Sequence, residues 1–564
     1  MKFTDKRKKI ISNIKYTIND KKFKYIAFFW IVIAIQFVIG NNLQNKGYSI
    51  RNITDFIILL IQVLALSLLF IIIHYCVLEF YKKIKKSQNK EKVNINNKNT
   101  KESLTKNKWV VYFLIIIICW IPTLLAFYPC LVNYDGGYQI RDYFINNKIN
   151  LGHPIITTLF YTMFYEMGVY YLDSPSLGML MFSIFQMTIM ALIFSYAVKF
   201  IEEETGKKYI RNISICIYGL FPYNQLFPIM TTKDVIFAVL VILFIINLYK
   251  MLKSKYRIVD YVIFIVVTVL MLLFRSNALY ALIVLLPFTF LMLINNKKQF
   301  RKLLVVAIIS IIICQGINRL VVSIVNEESG ENIIWLCVPA QAIGKIANER
   351  EEDLTNYEKE KISLYFTNYK ALGKTYKPYF ADYTMKLAKY DNILENKKEF
   401  LDFIFELAKK YPGEFIDSYL NTMRGFWYVL DNSFCLINNE YGSDIFGALE
   451  LYCFKVGKGQ YEIVEDSKLP LIKNIYKDMF CRNMYQKIYG VRIIFQPATY
   501  LYMLFACVLY SVYKRHKIRL IIEVFLFLYV MTFVTAPCAL IRYVYPIMVS
   551  IPIIFSLLKN EEGK

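Results

Sequence analysis

Along this chain, long apolar blocks alternate with short polar turns. Ile115 to Ile118, Ile311 to Ile313 and the run from Val235 to Leu248 lie in stretches of about 17–25 residues with almost no charge. A helix of that length crosses roughly 30 Å of hydrocarbon with every backbone polar group satisfied internally. The pattern predicts an all-α polytopic membrane protein of about twelve spans. They fall at 24–40, 55–80, 109–128, 176–201, 211–228, 234–252, 258–274, 278–295, 303–325, 490–513, 518–536 and 541–558. Residues 155–172 are less apolar and carry Thr157, Thr158, Thr162 and Glu166, so an interfacial or re-entrant helix is expected there.

The spans divide the chain into an N-terminal hairpin (1–81), a Lys/Asn-rich linker (82–108) and a core of seven spans (109–325) whose first outer loop is 129–175. A long region (326–489) and a closing three-span segment (490–564) follow. Apolar residues at 3–4 spacing in Tyr357 to Tyr369 and Lys398 to Tyr411 predict helices inside the long region.

Composition supports the membrane class, since 57% of the residues are apolar. A net charge of +24 raises the question of nucleic acid, but the cations do not gather on one soluble face. They occupy Lys6-Arg7-Lys8-Lys9, the 82–108 linker and short turns at Lys207-Lys208, Lys253-Lys255-Arg257, Lys297-Lys298-Arg301-Lys302 and Lys514-Arg515. Threaded through twelve spans from a cytoplasmic N-terminus, all lie on one side, which is the positive-inside pattern. Both termini and the linker are therefore expected in the cytoplasm, with 326–489 outside. The lysines contact anionic lipid heads, and no nucleic acid partner is expected.

Three histidines leave little material for a triad or a histidine ligand set. No CxxC pair stands among the eleven cysteines, so zinc and thiol redox sites are not expected. Six of them, Cys130, Cys337, Cys435, Cys453, Cys481 and Cys538, fall outside in this topology. An even number permits disulfides, though scattered free thiols are the simpler expectation. Tyr134-Asp135-Gly136-Gly137-Tyr138 lacks the length and the lysine of a P-loop.

The polar groups at the outer ends of spans remain, where charge is costly and points to function. Asp135 follows the third span beside two glycines, with Gln139 and His153-Pro154 downstream. Its plain alternative is an Asp-Gly turn. Lys233-Asp234 opens the sixth span, where Asp is an ordinary N-cap but Lys is out of place. Arg275-Ser276-Asn277 forms an outer hairpin tip, and Arg542-Tyr543 starts the last span. Snorkelling explains an arginine at such a tip equally well. Arg319 lies in the outer half of the ninth span and is expected to face the bundle interior. Asp135, Lys233, Arg275 and Arg542 all land on one side, and one acid with three cations suits a lipid phosphate and a proton acceptor.

An early span, an outer loop with Asp near its start and a His-Pro opening a surface helix resemble the C-type (GT-C) membrane glycosyltransferases. Tyr128-Pro129, Tyr134-Asp135, Gln139, His153-Pro154, Lys233-Asp234, Arg275-Ser276-Asn277 and Arg542-Tyr543 with Pro546 are more closely similar to a bacterial multi-span family of unassigned function related to that fold. Pro339-Ala340-Gln341, then Leu354-Thr355 and Glu358, resemble the start of that family's outer domain. The likeness covers roughly 109–558. It implies a sugar moved from a polyprenyl-phosphate donor to an envelope glycan, glycolipid or protein acceptor outside the membrane. Asp135 would be the base, and Lys233, Arg275 and Arg542 the phosphate ligands. Gln139, His153, Asp234, Asn277, Arg319, Gln341 and Tyr543 would support them.

Metal-dependent members of that superfamily carry clustered acids near the first outer loop. Here Asp142, Asp173 and Asp234 stand apart, and no metal or other cofactor is expected. Ile155 replaces the usual second proline after His-Pro. A flippase or transporter of a lipid-linked or anionic solute, a surface-glycan polymerase or ligase and a non-enzymatic assembly protein stay open as alternatives. A transporter should show a charged broken-helix path at the midplane. A polymerase or ligase should gather its arginines and histidine in the long outer region.

Overall fold

The computed structural model describes residues 21–91, 108–149, 152–253, 256–325, 333–433 and 451–559. The basic stretch Lys6 to Lys9, most of the 82–108 linker, Lys255 and Cys435 lie outside the described residues. Helices dominate and no named strand occurs among the described residues. Six of them are long and apolar enough to cross a membrane, which makes this a membrane protein by length and composition. These are α1 (Lys21–Lys46), α2 (Ile53–Glu91), α3 (Lys108–Ala126), α6 (Pro175–Thr205), α8 (Lys233–Lys253) and α11 (Lys297–Val325).

Between and after them run shorter helices. Two follow α3, α4 (Tyr134–Phe144) and α5 (Ile155–Tyr171). Then come α7 (Lys208–Leu220), α9 (Ile258–Phe274) and α10 (Asn277–Met292). The 333–433 region holds α12 (Cys337–Glu349), α13 (Asn356–Tyr365), α14 (Asp382–Met385), α15 (Lys397–Lys410) and α16 (Pro412–Thr422), and after it lie α17 (Pro470–Phe480), α18 (Pro497–Lys514), α19 (Lys517–Met531) and α20 (Ile541–Ser556).

Prolines cut two of the expected spans short. The segment expected at 211–228 is helical only to Leu220, because Pro222 has no N–H to continue the ladder and a separate short helix, Pro222–Leu226, begins there. Pro497 splits 490–513 in the same way, leaving Tyr489–Ile494 ahead of α18.

One helix forms the axis of the bundle. Most residues of α8 are buried, whereas few of α2 are. Helices α3, α6, α7, α9, α10 and α18 to α20 share one core with it. Lipid tails are as apolar as leucine, so these helices associate by close packing rather than by hydrophobic transfer. The α5–α6 contact shows it: a Cβ at Gly168 or Gly178 would collide with the backbone of the other helix.

The helix α5 matches the segment expected as interfacial or re-entrant. Its threonine hydroxyls face inward, where Thr157 and Thr158 are fully or almost fully buried. The region expected as one outer unit, 326–489, contributes to several cores. Residues within 333–433 build their own, around Leu336, Ile343, Tyr365 and Phe400. It comprises α12 to α16. The helix expected across Tyr357 to Tyr369 ends at Tyr365, and a new one starts behind the Asn368 cap. Leu451, Tyr476 and Phe480 instead join the core of the bundle.

Arg319 is corrected by this packing. The buried stripe of α11 runs through Leu303, Ala307, Ser310 and Cys314, at helical spacing. Arg319 falls off that stripe and is exposed, as are the nearby Gln315 and Asn318. It takes no part in the site described next.

Candidate functional site

The site begins with a backbone zipper. After α3, the N–H of Leu131 donates to Ile229 O at 2.8 Å, and that of Thr231 returns to Leu131 O at 3.0 Å. Asn133 N–H then donates to Thr231 Oγ1 at 2.9 Å. Gln186 of α6 secures the far side, its Nε2 donating to Pro228 O at 3.0 Å and Met230 O at 2.9 Å. These bonds bring the start of α4, with Asp135, against the start of α8, with Lys233 and Asp234. Gly136 makes the approach possible, since a Cβ there would strike the backbone and side chain of Thr231. Gly137 does the same beneath the ring of Phe454. The glycines thus serve close packing, where the sequence offered a turn.

Charges from four elements meet here. Arg542 Nη2, at the start of α20, lies 3.0 Å from Asp135 Oδ2, and its Nε lies 3.8 Å from Asp234 Oδ2. Arg275, between α9 and α10, makes an ion pair with the other oxygen of Asp234. Lys233 Nζ stands 3.1 Å from His153 Nδ1. The structure therefore brings together Asp135, Lys233, Arg275 and Arg542, with His153 and Asp234 among them.

Depth separates their roles. The Asp135 side chain is 25% exposed and that of Arg542 12%, whereas Asp234 is 1% and Arg275 7% exposed. Arg275 sits in an aromatic box, its guanidinium 5.0 Å from the Phe533 ring, 5.1 Å from Tyr543 and 5.8 Å from Tyr529. That is a cation packed on π-faces behind the opening, and neither snorkelling nor a hairpin tip describes it. Asp234 pairs with two arginines, a larger part than the N-cap its position suggested. Tyr543 stacks on Phe533 at 5.1 Å and completes the box.

Electrostatics follow from this crowding. Burial would raise the Asp135 carboxyl, but Arg542, His153, Lys233 and Arg275 outweigh it and hold the group well below the usual carboxylate range. His153 is pushed down to about 4 by burial first and the Lys233 ammonium second, against the opposing pull of Asp135. At neutral pH the site therefore holds an ionised Asp135 beside an uncharged imidazole.

The supporting residues divide. Gln139 is buried and accepts at Oε1 from Thr157 Oγ1 (2.9 Å) and Thr158 Oγ1 (3.0 Å), so it docks α4 onto α5. Asn277 Nδ2 donates to Thr532 Oγ1 at 3.1 Å. Gln341 lies inside the 333–433 core, where its Nε2 donates to Lys377 O at 2.8 Å and its Oε1 accepts from Thr384 Oγ1 at 3.1 Å. It shapes the turn that carries Asp382 and does not line the opening. Asp142 accepts from Asn146 Nδ2 at 3.0 Å. Among the described residues, no group of three or more His, Cys, Asp or Glu side chains gathers to hold a metal ion.

Sequence reasoning passed over Asp382. Ala381 N–H donates to Pro537 O at 2.8 Å, which docks α14 beside the start of α20. Burial raises the Asp382 carboxyl; Lys386 lowers it, and the nearby Asp135 charge adds to the rise. No spacing or apolar period marks this residue; only its place among Tyr379, Phe380, Cys538 and Leu540 does.

Residues 146–563 match a family of unknown function, DUF6020. No curated protein and no solved structure matches the chain.

Proposed function

We propose that this chain, which belongs to the DUF6020 family of unknown function, is a membrane glycosyltransferase of GT-C type. It would move a sugar from a polyprenyl-phosphate donor to an extracytoplasmic envelope acceptor. The observation that carries this reading is the meeting of Asp135, Arg542, Lys233 and His153 at one end of the bundle, with the carboxylate partly open.

The orientation follows from α8. Its far end, Lys253, pairs with Glu204 at 2.8 Å, close to where Arg211 pairs with Glu202 at 2.8 Å. Basic turns therefore gather at one end of a 21-residue helix and the site at the other, about 30 Å away at the usual rise. Positive-inside placement puts the basic end in the cytoplasm and the site outside. The six long helices with α7, α9, α10, α18, α19 and α20 then make about twelve spans.

In the reaction, the Asp135 carboxylate takes the proton of the acceptor hydroxyl as its oxygen attacks the anomeric carbon. The bond from that carbon to the phosphate oxygen breaks on the opposite face, and configuration inverts. The leaving polyprenyl phosphate keeps the electron pair and needs no acid, because Lys233 and Arg542 stabilise its charge. Arg275 is too enclosed to reach a headgroup while paired with Asp234, so its part in this scheme is to position Asp234 and, through it, Arg542.

The test exposes membranes holding the wild-type protein or Asp135→Asn to labelled polyprenyl-phosphate sugars. One label should leave the lipid only with the wild type. Retention of every label on its lipid, or movement of intact donor between leaflets, would contradict transfer.

A further inference from the structure

The segment that leads into α4 and Asp135 holds a second chemistry that sugar transfer leaves unused. Cys130 is fully buried, and burial first and the neighbouring Cys453 thiol second push its own thiol up. The two lie far apart in the chain, yet Phe454 N–H donates to Val132 O at 2.9 Å. Both sulfurs belong to one apolar cluster with Val132, Ile140, Tyr165 and Val456. By contrast, the Cys337 thiol donates to Met385 Sδ at 3.0 Å.

The same contact builds the wall beside Asp135. The Phe454 ring occupies the space over Gly137, 4.8 Å from the Tyr138 ring and 6.1 Å from that of Tyr134. We propose that Cys130 and Cys453 form a disulfide that clamps the Phe454 segment onto the Asp135 helix. The inference rests on the outward placement of this end, since disulfides persist in oxidising compartments.

The oxidant is a thiol–disulfide exchange protein. Cys453 is only partly buried, so its thiolate attacks the partner's disulfide and forms a mixed disulfide. The Cys130 sulfur, giving up its proton, then displaces the partner's thiolate. Two thiols here lose two protons and two electrons, and the partner's disulfide becomes a dithiol.

The test uses full-length protein in its native membranes, quenched in acid and unfolded. One alkylating reagent is added before reduction and a second, mass-distinct one after it. Cys130 and Cys453 should carry only the second label, and unreduced digests should yield their joined peptide. In Cys130→Ser, Cys453 should take the first label. First-label alkylation of both cysteines in the wild type overturns the disulfide. An impermeant label on Asn356→Cys in a cysteine-free background separates the two ideas. Labelling from outside with free Cys130 and Cys453 rejects the clamp alone. Labelling only from the cytoplasm rejects the orientation on which the transfer reading depends.

Discussion

Arg542 reaches Asp135 at 3.0 Å, Nη2 to Oδ2, so the start of α20 is tied by charge to the start of α4. The same guanidinium leans on Asp234, which is held from the other side by Arg275. A partly open carboxylate therefore rests on a buried ionic support, and the two layers predict different mutant behaviour.

Breaking the lower layer should cost stability. Arg275→Ala leaves Asp234 buried without one of its two arginine partners, a loss of roughly 3–5 kcal/mol for a broken buried pair. Thermal unfolding in detergent should show the drop, and Arg275→Met with Asp234→Leu should recover part of it. Unchanged stability of Arg275→Ala together with lost donor binding would make Arg275 a direct phosphate ligand instead.

The glycines next to Asp135 should resist substitution. Glycine inside a helix is ordinarily worse than alanine by roughly 0.5–1 kcal/mol, so Gly136→Ala in an open helix would stabilise. Here the added methyl meets the Thr231 backbone, and the sign should reverse. Faster amide exchange at Asn133, which donates to Thr231, is the expected readout in Gly136→Ala. Unchanged exchange would return Asp135-Gly136 to the status of a turn.

Acid should weaken the fold through His153 before it does so through Asp135. Unfolded, His153 binds its proton near pH 6.5; folded, it does so only near 4. Between those values the unfolded state holds more protons, so stability falls as pH drops from 6.5 to 4. Asp135 has a lowered folded value, so its contribution is present above the usual carboxylate pKa and is lost only below that window. His153→Gln can still accept from Lys233 and should flatten the fall between pH 6.5 and 4 in thermal unfolding. Parallel curves for the two proteins would show that His153 titrates normally.

Much of this arrangement was legible in the sequence, for a physical reason. Charge at the end of a span is expensive, so Asp135, Lys233, Arg275 and Arg542 stood out against apolar surroundings. Asp234 was harder to weigh, since the same residue in the same place is also an ordinary cap, and only the approach of two arginines from elsewhere in the bundle reveals it as a hub. Asp382 was invisible because a polar outer region makes one more aspartate unremarked. Arg319 misled because one polar residue does not define a helix face, whereas the stripe from Leu303 to Cys314 does. Pro222 and Pro497 could have corrected two span limits, since each removes a donor from the ladder.

The most direct measurement compares Asp135→Asn with the wild type on one identified donor, following transfer and donor binding separately. Asparagine keeps the shape and the hydrogen bonds but cannot accept the hydroxyl proton. Transfer should fall by roughly 10²–10⁴-fold while the donor still binds, because Lys233 and Arg542 are intact. Wild-type turnover in Asp135→Asn would contradict Asp135 as the base and reduce it to the residue that holds Arg542 in place.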